Sequence, residues 1–505
     1  MIITLISPNI TTQKGDFFGS GIPYMPIPLA YVAAYLREKK HEIQVIDGFG
    51  ENPFKVKQEG EFFIQGLSAK EIIGKIDFNT AIIVVYAGQV VTHLATIQII
   101  KAIKKDFQNI PIIVMENMTS VVAYSLAVVY KEFFNLDVDY ILLGDCERKI
   151  DQLIKAITGR NKPEKYKYEK LSKIDGIIYK HNGKIVVQRT TMMDEDLDSL
   201  PFPAWDLFPI QNYWKLHYAH GPMKKSFLPI FFSRGCPYRC EYCITPQISL
   251  AKWRPRSPKN IVDEMEYSIK RYSVRDFHTE DLNPTINRMR IIEMCKEIVK
   301  RRLKVNLKIV SGTKVESLDE ESLRWMKKAG FTYISISPES GSKRMLKIMN
   351  KPYNHEYGLR MVRYMNKLGI TTQACFVLGF PGETSKDLEL TKKYVYQLTK
   401  AGVDEVALFI MTPIPGSKAY EYSSLGYKKL SQLTFSPKWR KEYNRLNMWR
   451  ARTYAQFFIW KSLFHPIKVM KQPVNLLTGN FRTKMEMTIY RILKVNIWGK
   501  FFGSK

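Results

Sequence analysis

Three of the chain's six cysteines fall within eight residues, in RGCPYRCEYC, where Cys236, Cys240 and Cys243 form a C-x3-C-x2-C array. The array follows the apolar run LPIFFS directly. Thiolates spaced this closely, on a loop just past a strand, can all reach one metal centre. A cubane iron-sulfur cluster prefers one thiolate on each of four irons, so three cysteines leave one iron open to chelate a small molecule. A four-thiolate centre would be closed and would serve structure or electron transfer. Structural zinc competes with this reading, but it wants four ligands, commonly two C-x2-C pairs, and no second pair follows. A disulfide staple fits poorly with six cysteines in 505 residues and three of them this crowded.

The elements that must position the array lie between about 227 and 430. Six apolar strand candidates occur there, LPIFFSR, VRDFHTE, VNLKIVS, FTYISIS, TTQACFVLG and DEVALFIM, with helical patterns between them. Six βα units predict a partial TIM-type barrel, open on one side to admit a large substrate, with its active site at the carboxyl ends of the strands. The cysteine loop falls at such an end. So do TEDLN with Glu280 and Asp281, SGTKVE with Lys314, SPESGS with Glu339 and Ser340, VLGFPGET with Gly379, Pro381, Gly382 and Glu383, and TPIPGS with Thr412, Pro413, Pro415 and Gly416. Taken singly, acidic or small residues at strand ends are ordinary caps and turns.

Residues 1–150 show the same rhythm: MIITLIS, PLAYVAAYLREKK, EIQVID, AIIVVY, THLATIQIIKAIKK, IPIIVM, a helix near 120–133, DYILL and a helix from Glu147. Strands apolar on both faces between amphipathic helices predict a parallel, doubly wound α/β sheet of flavodoxin type, with ligands beyond the carboxyl ends of its strands. A connector at 151–226 carries a hairpin, GIIYK-HNG-KIVVQR, turning at Asn182-Gly183, and then DLDSLPFPAWDLFP, which three prolines hold extended. Residues 431–505 form a basic helical tail.

Apolar content of 45% and aromatic content of 12% are those of a globular protein. The opening MIITLISPN reads as a first strand and not as an export signal, and no apolar run approaches the ~18 residues of a membrane span, so a cytoplasmic location is expected. The net charge of +29 admits nucleic acid, an anionic membrane surface, or a lysine-rich surface as explanations. From Ser436 to Lys505 there are 15 Lys or Arg against two acids, Glu442 and Glu486. Leu446, Trp449, Thr453, Phe457, Trp460 and Phe464 lie there at helical spacing with Arg445, Arg450, Arg452 and Lys461 interleaved. Such a stripe covers the barrel's open side, and the proportions of Trp, Phe and Lys, repeated in RTKMEMTIYRILKVNIWGKFF, also suit helices lying on an anionic membrane. Cys295 and Cys375, on a helix and a strand, are expected as small buried hydrophobes, and Cys146 lies at the ligand edge of the first domain.

The cysteine spacing, with Tyr242 at the aromatic position of C-x3-C-x-Φ-C, resembles that of the radical SAM superfamily. The whole chain resembles its cobalamin-binding-domain group, which includes class B methylases, hopanoid methylases, tetraether ring synthases and tetrapyrrole cyclases. The resemblance implies a [4Fe-4S] cluster on the three cysteines, S-adenosylmethionine (SAM) on the open iron, and reductive cleavage of SAM to methionine and a 5′-deoxyadenosyl radical. It places Tyr242, Glu280, Asp281, Lys314, Glu339, Ser340 and Gly379 around SAM, with Lys314 where Arg is usual. PIPLAYVAAYLREKKHEIQVID, DYILLGDCE and WRPRS at 253–257 resemble segments of the cobalamin-type proteins, and Tyr86, Gly88 and Gly144 are implied near cobalamin. The D-x-H-x-x-G motif is missing, which leaves His93 an ordinary helix residue. VMENMTS, at 114–120, stands where a Gly-Gly loop is usual, so that Glu116 and Asn117 are expected to obstruct the close backbone approach that glycine allows.

The activity so implied is hydrogen abstraction from an unactivated carbon, followed by methylation or by C–C bond or ring formation, most naturally on a lipid or isoprenoid substrate, with a reductant such as ferredoxin or flavodoxin. No general acid or base is nominated. A methylthiotransferase acting on tRNA is the alternative that the charge favours. The first 145 residues contain no cysteine for a second cluster, however, and nucleic acid is not the expected partner. A non-catalytic scaffold on a membrane surface is the third reading.

Overall fold

The computed structural model describes all residues except 14–23, 119–122, 159–163, 216, 218, 224, 423–428, 434–435 and 492–505. The runs that are apolar at every position become parallel strands buried on both faces. Along β1 (Ile2–Ser7), Ile3 and Leu5 enter one hydrophobic cluster and Ile6 enters another. The same alternation divides β6 (Thr80–Ala87), where Ile82, Val84 and Tyr86 face one side and Ile83, Val85 and Ala87 the other.

The ten strands of the N-terminal part begin with β1, followed by β2 (Ile10–Gln13), β3 (Glu42–Asp47), β4 (Val56–Glu59) and β5 (Phe62–Gln65). After β6 come β7 (Ile112–Glu116), β8 (Tyr140–Leu142), β9 (Ile177–His181) and β10 (Lys184–Val187). The main sheet has the order β10-β9-β8-β7-β6-β1-β3. Its five parallel strands β3, β1, β6, β7 and β8 have the flavodoxin-like order, and the connector hairpin adds β9 and β10 antiparallel at the far edge. Asn182 and Gly183 both take positive φ, as the tight hairpin turn requires. A separate three-stranded sheet, β2-β5-β4, was not legible from pattern, because β4 is mostly exposed. The helix expected near 120–133 starts at Leu126, and residues 119–122 of that stretch lie outside the described residues.

Six parallel strands form the second sheet in the order β11 (Leu228–Ile230), β14 (Asp276–Thr279), β15 (Asn306–Thr313), β16 (Phe331–Glu339), β17 (Thr371–Leu378) and β18 (Glu405–Ile410). All six candidate runs became these strands. Between the first two, β12 (Ser233–Arg234) pairs with β13 (Arg254–Pro255) and brackets the cysteine loop. The intervening helices carry their own stops. Helix Glu320–Ala329 opens on an Asp319–Ser322 capping box and closes on left-handed Gly330, and helix Ser385–Ala401 opens on Thr384–Asp387 and closes on left-handed Gly402.

The tail bears on the open side of the barrel. Helix Tyr443–Phe464 packs on helix Ser385–Ala401 and β18, burying Leu446, Thr453 and Phe457. Farther on, the backbone N–H groups of Lys484 and Met485 donate to Glu405 on β18. Phe481 and Tyr490 close around His217 ahead of β11, with ring centroids 5.0 and 5.2 Å from it. The tail thus bridges the two edge strands, and the side expected to stand open is lined by it. One hydrophobic cluster runs from Ile3 and Tyr31 to Phe231 and Phe277, so the two sheets share a core.

Candidate active site

The turn into the cysteine loop is a glycine for a physical reason. Gly235 has φ +79°, and a Cβ there would lie 2.1 Å from the carbonyl oxygen of Lys252. The loop is then tied to two distant elements. Glu241 N donates to Met349 O at 3.0 Å, Ala419 N donates to Glu241 O at 2.8 Å, and Asn350 Nδ2 donates to Arg239 O at 2.9 Å. Cys240 is buried and Cys236 and Cys243 are half-buried. Burial raises all three thiols, Cys243 to about 12, and Cys240 pushes Cys236 and Cys243 up further. Among the described residues no three His, Cys, Asp or Glu side chains are grouped around a single-ion position. A multi-iron cluster asks instead that each thiolate reach its own iron.

Two lysines face the array. Lys351 pairs with Glu339 at 3.3 Å, and although burial opposes its charge, Glu339 and then Cys240 hold its proton on, well above the usual lysine range. Lys314 lies 4.4 Å from the centroid of the Tyr238 ring, and burial lowers its pKa. Both lysines oppose the upward shift of Cys236 and Cys240, so the donor set suits an anionic metal-thiolate centre. Tyr242 is half-buried against Met345, Met349 and Phe380, and its phenol, kept protonated by desolvation, interacts with Glu339. Glu339 itself has φ +63°, a left-handed conformation that a glutamate adopts only where its surroundings enforce it.

The remaining strand-end residues divide. Glu280 Oε2 accepts from His220 Nδ1 at 2.8 Å and borders the cleft described below. Asp281 is engaged by the backbone and hydroxyl just ahead of the cysteine loop. Its oxygens accept from Phe232 N at 2.7 Å and Ser233 Oγ at 2.5 Å, and burial raises it to about 6. Ser340 is fully buried, its hydroxyl 3.3 Å from that of Thr391 and accepting from Ser342 N, so it helps to fix the loop. Gly379 has φ +71°; its N–H donates to Glu383 at 2.6 Å and its carbonyl accepts from Arg440 at 2.7 Å. Cys295 is buried as expected. Cys375 is only half-buried, beside Ser335 Oγ at 3.4 Å and Gln373, and so sits among polar groups and not in apolar packing.

Beside the barrel mouth lies a small cleft of about 50 Å³ lined by Ser7, Tyr86, Gly88 and Asn117 from the first sheet, Tyr24 from the segment before the first helix, and Glu280 from the barrel. It opens at the carboxyl ends of β1 and β6, where the strand order reverses, which is the ligand position of doubly wound sheets. A Cβ on Gly88 would lie 2.5 Å from the Tyr86 ring, so the glycine lets that ring lie across it. Gly144 makes no such cradle: the space a Cβ would take is bounded by Lys149 Nζ at 3.1 Å and Thr190 at 3.2 Å. Glu116 does not obstruct the cleft. It is buried and accepts from Leu126 N and Gly144 N at 2.9 and 3.0 Å, and burial pushes it up to about 7. Asn117 lines the cleft and donates to Gly88 O at 2.7 Å. His93 is an ordinary core residue, bonded to Tyr124 at 3.0 Å and Glu132 at 2.9 Å, and Cys146 is a buried thiol donating to Gly144 O at 3.2 Å.

Residues 230–395 match the model of the Radical SAM superfamily. The stretch that carries the cysteine loop is thus a radical SAM domain. The chain is 25% identical, over 87% of its length and 86% of the relative's, to an uncharacterized methyltransferase of Pyrococcus horikoshii. It is 31% identical over 289 residues to the anaerobic magnesium-protoporphyrin IX monomethyl ester cyclase of Rubrivivax gelatinosus, covering 56% of this chain and only 49% of the cyclase. Its fold matches the radical SAM methyltransferase TsrM of Kitasatospora setae, solved with cobalamin and a [4Fe-4S] cluster, with a TM-score of 0.60 at 17% identity, covering 82% of this chain and 77% of that one. A radical SAM enzyme uses a [4Fe-4S] cluster and SAM, and needs a small-molecule substrate and an external reductant.

Several residues around the radical SAM domain's site carried no sequence signal. Lys351 follows a short helix in MNKPY, and nothing in its spacing marks it. Arg440 reaches from the tail to grip Gly379 O and Met411 O, both at 2.7 Å. His220 belongs to the connector; burial and then Lys484 push it down to about 4, against Glu280, which leaves it neutral near pH 7. Each was invisible because its partner is remote in sequence.

Proposed function

We propose that this radical SAM enzyme is cobalamin-dependent and methylates, or joins through a new C–C bond, an unactivated carbon of a lipid or isoprenoid substrate. The observation that carries this reading is the shared chamber. The cleft at the carboxyl edge of the first sheet is bordered on its other side by Glu280 of the barrel whose strand ends hold the cysteine loop. A group bound to one sheet would therefore stand opposite a group bound to the other. Cys236, Cys240 and Cys243 would hold the cluster, with Tyr242, Glu339, Lys314 and Lys351 around SAM. Tyr86 and Gly88 would lie against the corrinoid. Asp281, Ser340 and Gly379 would act by positioning the loops.

When bound, these cofactors supply a carbon-centred radical and a methyl donor, which no acid or base side chain can replace at a strong C–H bond. The chain's own part is to bind and orient. Lys314 presents a point charge where the superfamily usually has the fork of Arg, which suits a carboxylate without fixing its plane. The apolar wall of the cleft, including Ile10, Met25 and Phe49, would exclude water from a reactive intermediate and accept an apolar substrate. The basic tail supports delivery from a membrane surface.

Anaerobic reconstitution with iron and sulfide, followed by dithionite and SAM, should give 5′-deoxyadenosine from the wild type and none from C236A, C240A or C243A. Added hydroxocobalamin should remain bound through anaerobic gel filtration, as read by its visible absorption. Failure of the first test rejects the enzyme reading, and failure of the second rejects the corrinoid.

A further inference from the structure

We propose that helix Pro466–Thr478, together with the last turns of the helix before it, docks on an anionic phospholipid bilayer. This helix has no buried residue, although it packs end-on against helix Tyr443–Phe464 and is anchored by Lys468, which donates to Gly402 O and Asp404 at 2.8 Å. Ile467, Met470, Val474 and Leu477 recur on one face at helical spacing and are 66%, 74%, 57% and 88% exposed. Ile459 and Leu463 add 57% and 70% exposed side chains immediately before it. A run of six large aliphatic residues left this open is not the scattered exposure normal for a protein surface.

The charge selects the occupant. No Asp or Glu occurs between Tyr443 and Met485, whereas Arg445, Arg450, Arg452, Lys461, Lys468, Lys471, Arg482 and Lys484 all fall there. Arg445, Arg452, Lys471 and Arg482 are exposed. Apolar residues on one helical face, in a segment whose exposed charges are cations and beside which Asp404 and Glu486 are already engaged by Lys468 and Asn475, match the interface of an anionic bilayer, where the side chains enter the acyl boundary and the cations meet phosphate. A second copy of this chain would bring a like charge to the same face, which disfavours self-association. Among the described residues no helix is long and apolar enough to cross a membrane, so the helix would lie on it. The proposal rests on the lipid-substrate reading only for what the contact is for.

The test is sedimentation of the full-length reconstituted enzyme with phosphatidylcholine vesicles, with and without phosphatidylglycerol. Wild type should pellet with the anionic vesicles and be released by salt. I467E/L477E, both at exposed positions, should bind at least about tenfold more weakly while forming 5′-deoxyadenosine from SAM at the wild-type rate. Equal binding by the variant, or no binding of wild type to anionic vesicles, overturns the proposal. So does self-association by sedimentation velocity that is lost in the variant while vesicles stay unbound. Vesicle binding without SAM cleavage would instead keep the docking surface and reject the enzyme reading.

Discussion

Arg234 and Glu147 meet at 2.7 Å in the buried seam between the two sheets, and Cys236 lies two residues beyond that arginine. The same guanidinium reaches Asp145 at 3.0 Å, which also accepts from Arg254, and lies 5.1 Å from the Tyr31 ring. Three motifs of the sequence, GDCE, RGC and WRPRS, are therefore one clamp between the two sheets. Burial alone would raise Asp145, but Arg254 and Arg234 outweigh it and hold that carboxylate below its usual range. The clamp fixes the entry of the cysteine loop relative to the first sheet.

Removing one partner of such a cluster leaves a buried charge without compensation. Arg234→Met should cost about 3–5 kcal/mol of stability by urea unfolding, because Glu147 and part of Asp145 lose their partner. The double variant R234M/E147Q should recover part of that loss, and a double-mutant cycle would give the coupling. Equal losses in the single and double variants would mean that packing, not charge, carries the effect.

Gly235→Ala tests the turn. The left-handed backbone alone costs about 1–2 kcal/mol, and the contact with Lys252 O forces the loop to move. Iron and sulfide retained per chain after reconstitution should fall to a minor fraction of wild type. Gly60→Ala is the control: its φ is +58° and nothing lies within 4 Å of a Cβ there, so it bears the backbone cost alone and should load its cluster normally.

The parallel strands were legible because burial on both faces leaves a continuous apolar signature, which Ile82 to Val85 on β6 and Tyr333 to Ile336 on β16 show with little interruption. The cysteine loop was legible because metal chemistry needs its donors close in sequence. The clamp was visible only as motifs without a purpose, since Asp145 and Arg254 are 109 residues apart and their pairing exists only in the fold. Glu116 misled for the same reason. Its type suggested an obstruction, while its oxygens are engaged with Leu126 N and Gly144 N. The small sheet β2-β5-β4 escaped because exposed, charged strands such as VKQE lack the apolar alternation that marks a half-buried one.

Glu116 predicts a pH dependence. Its folded pKa of about 7 lies above the ordinary 4.5, so between those values the native state keeps a proton that the unfolded chain has lost. Its contribution to stability is therefore complete below about pH 4.5 and is lost as the pH rises through 7. Glu116→Gln has no proton to lose. The stability difference between wild type and E116Q should shift toward the variant on going from pH 4.5 to 7.5, by on the order of 2–3 kcal/mol. Comparing the two proteins cancels the opposing slope of His220, whose pKa is lowered to about 4. A difference independent of pH would refute the assignment.

Lys351 should tune the electronic state of the cluster site. Like Lys314 it acts on both Cys236 and Cys240, and of the two it is the one that a pair with Glu339 fixes near them. Adding an electron to a metal-thiolate centre is easier beside a positive charge, and in a partly buried setting one charge at several ångströms is worth on the order of tens of millivolts. Lys351→Met should lower the midpoint potential of the reconstituted cluster by that amount in EPR-monitored titration, and slow 5′-deoxyadenosine formation at fixed dithionite. Lys351→Arg keeps the charge and should restore most of the potential even if its longer fork disturbs the pairing with Glu339. An unchanged potential in the Met variant, with cluster content equal to wild type, would place Lys351 in the packing of the loop and outside the cluster's electrostatic field.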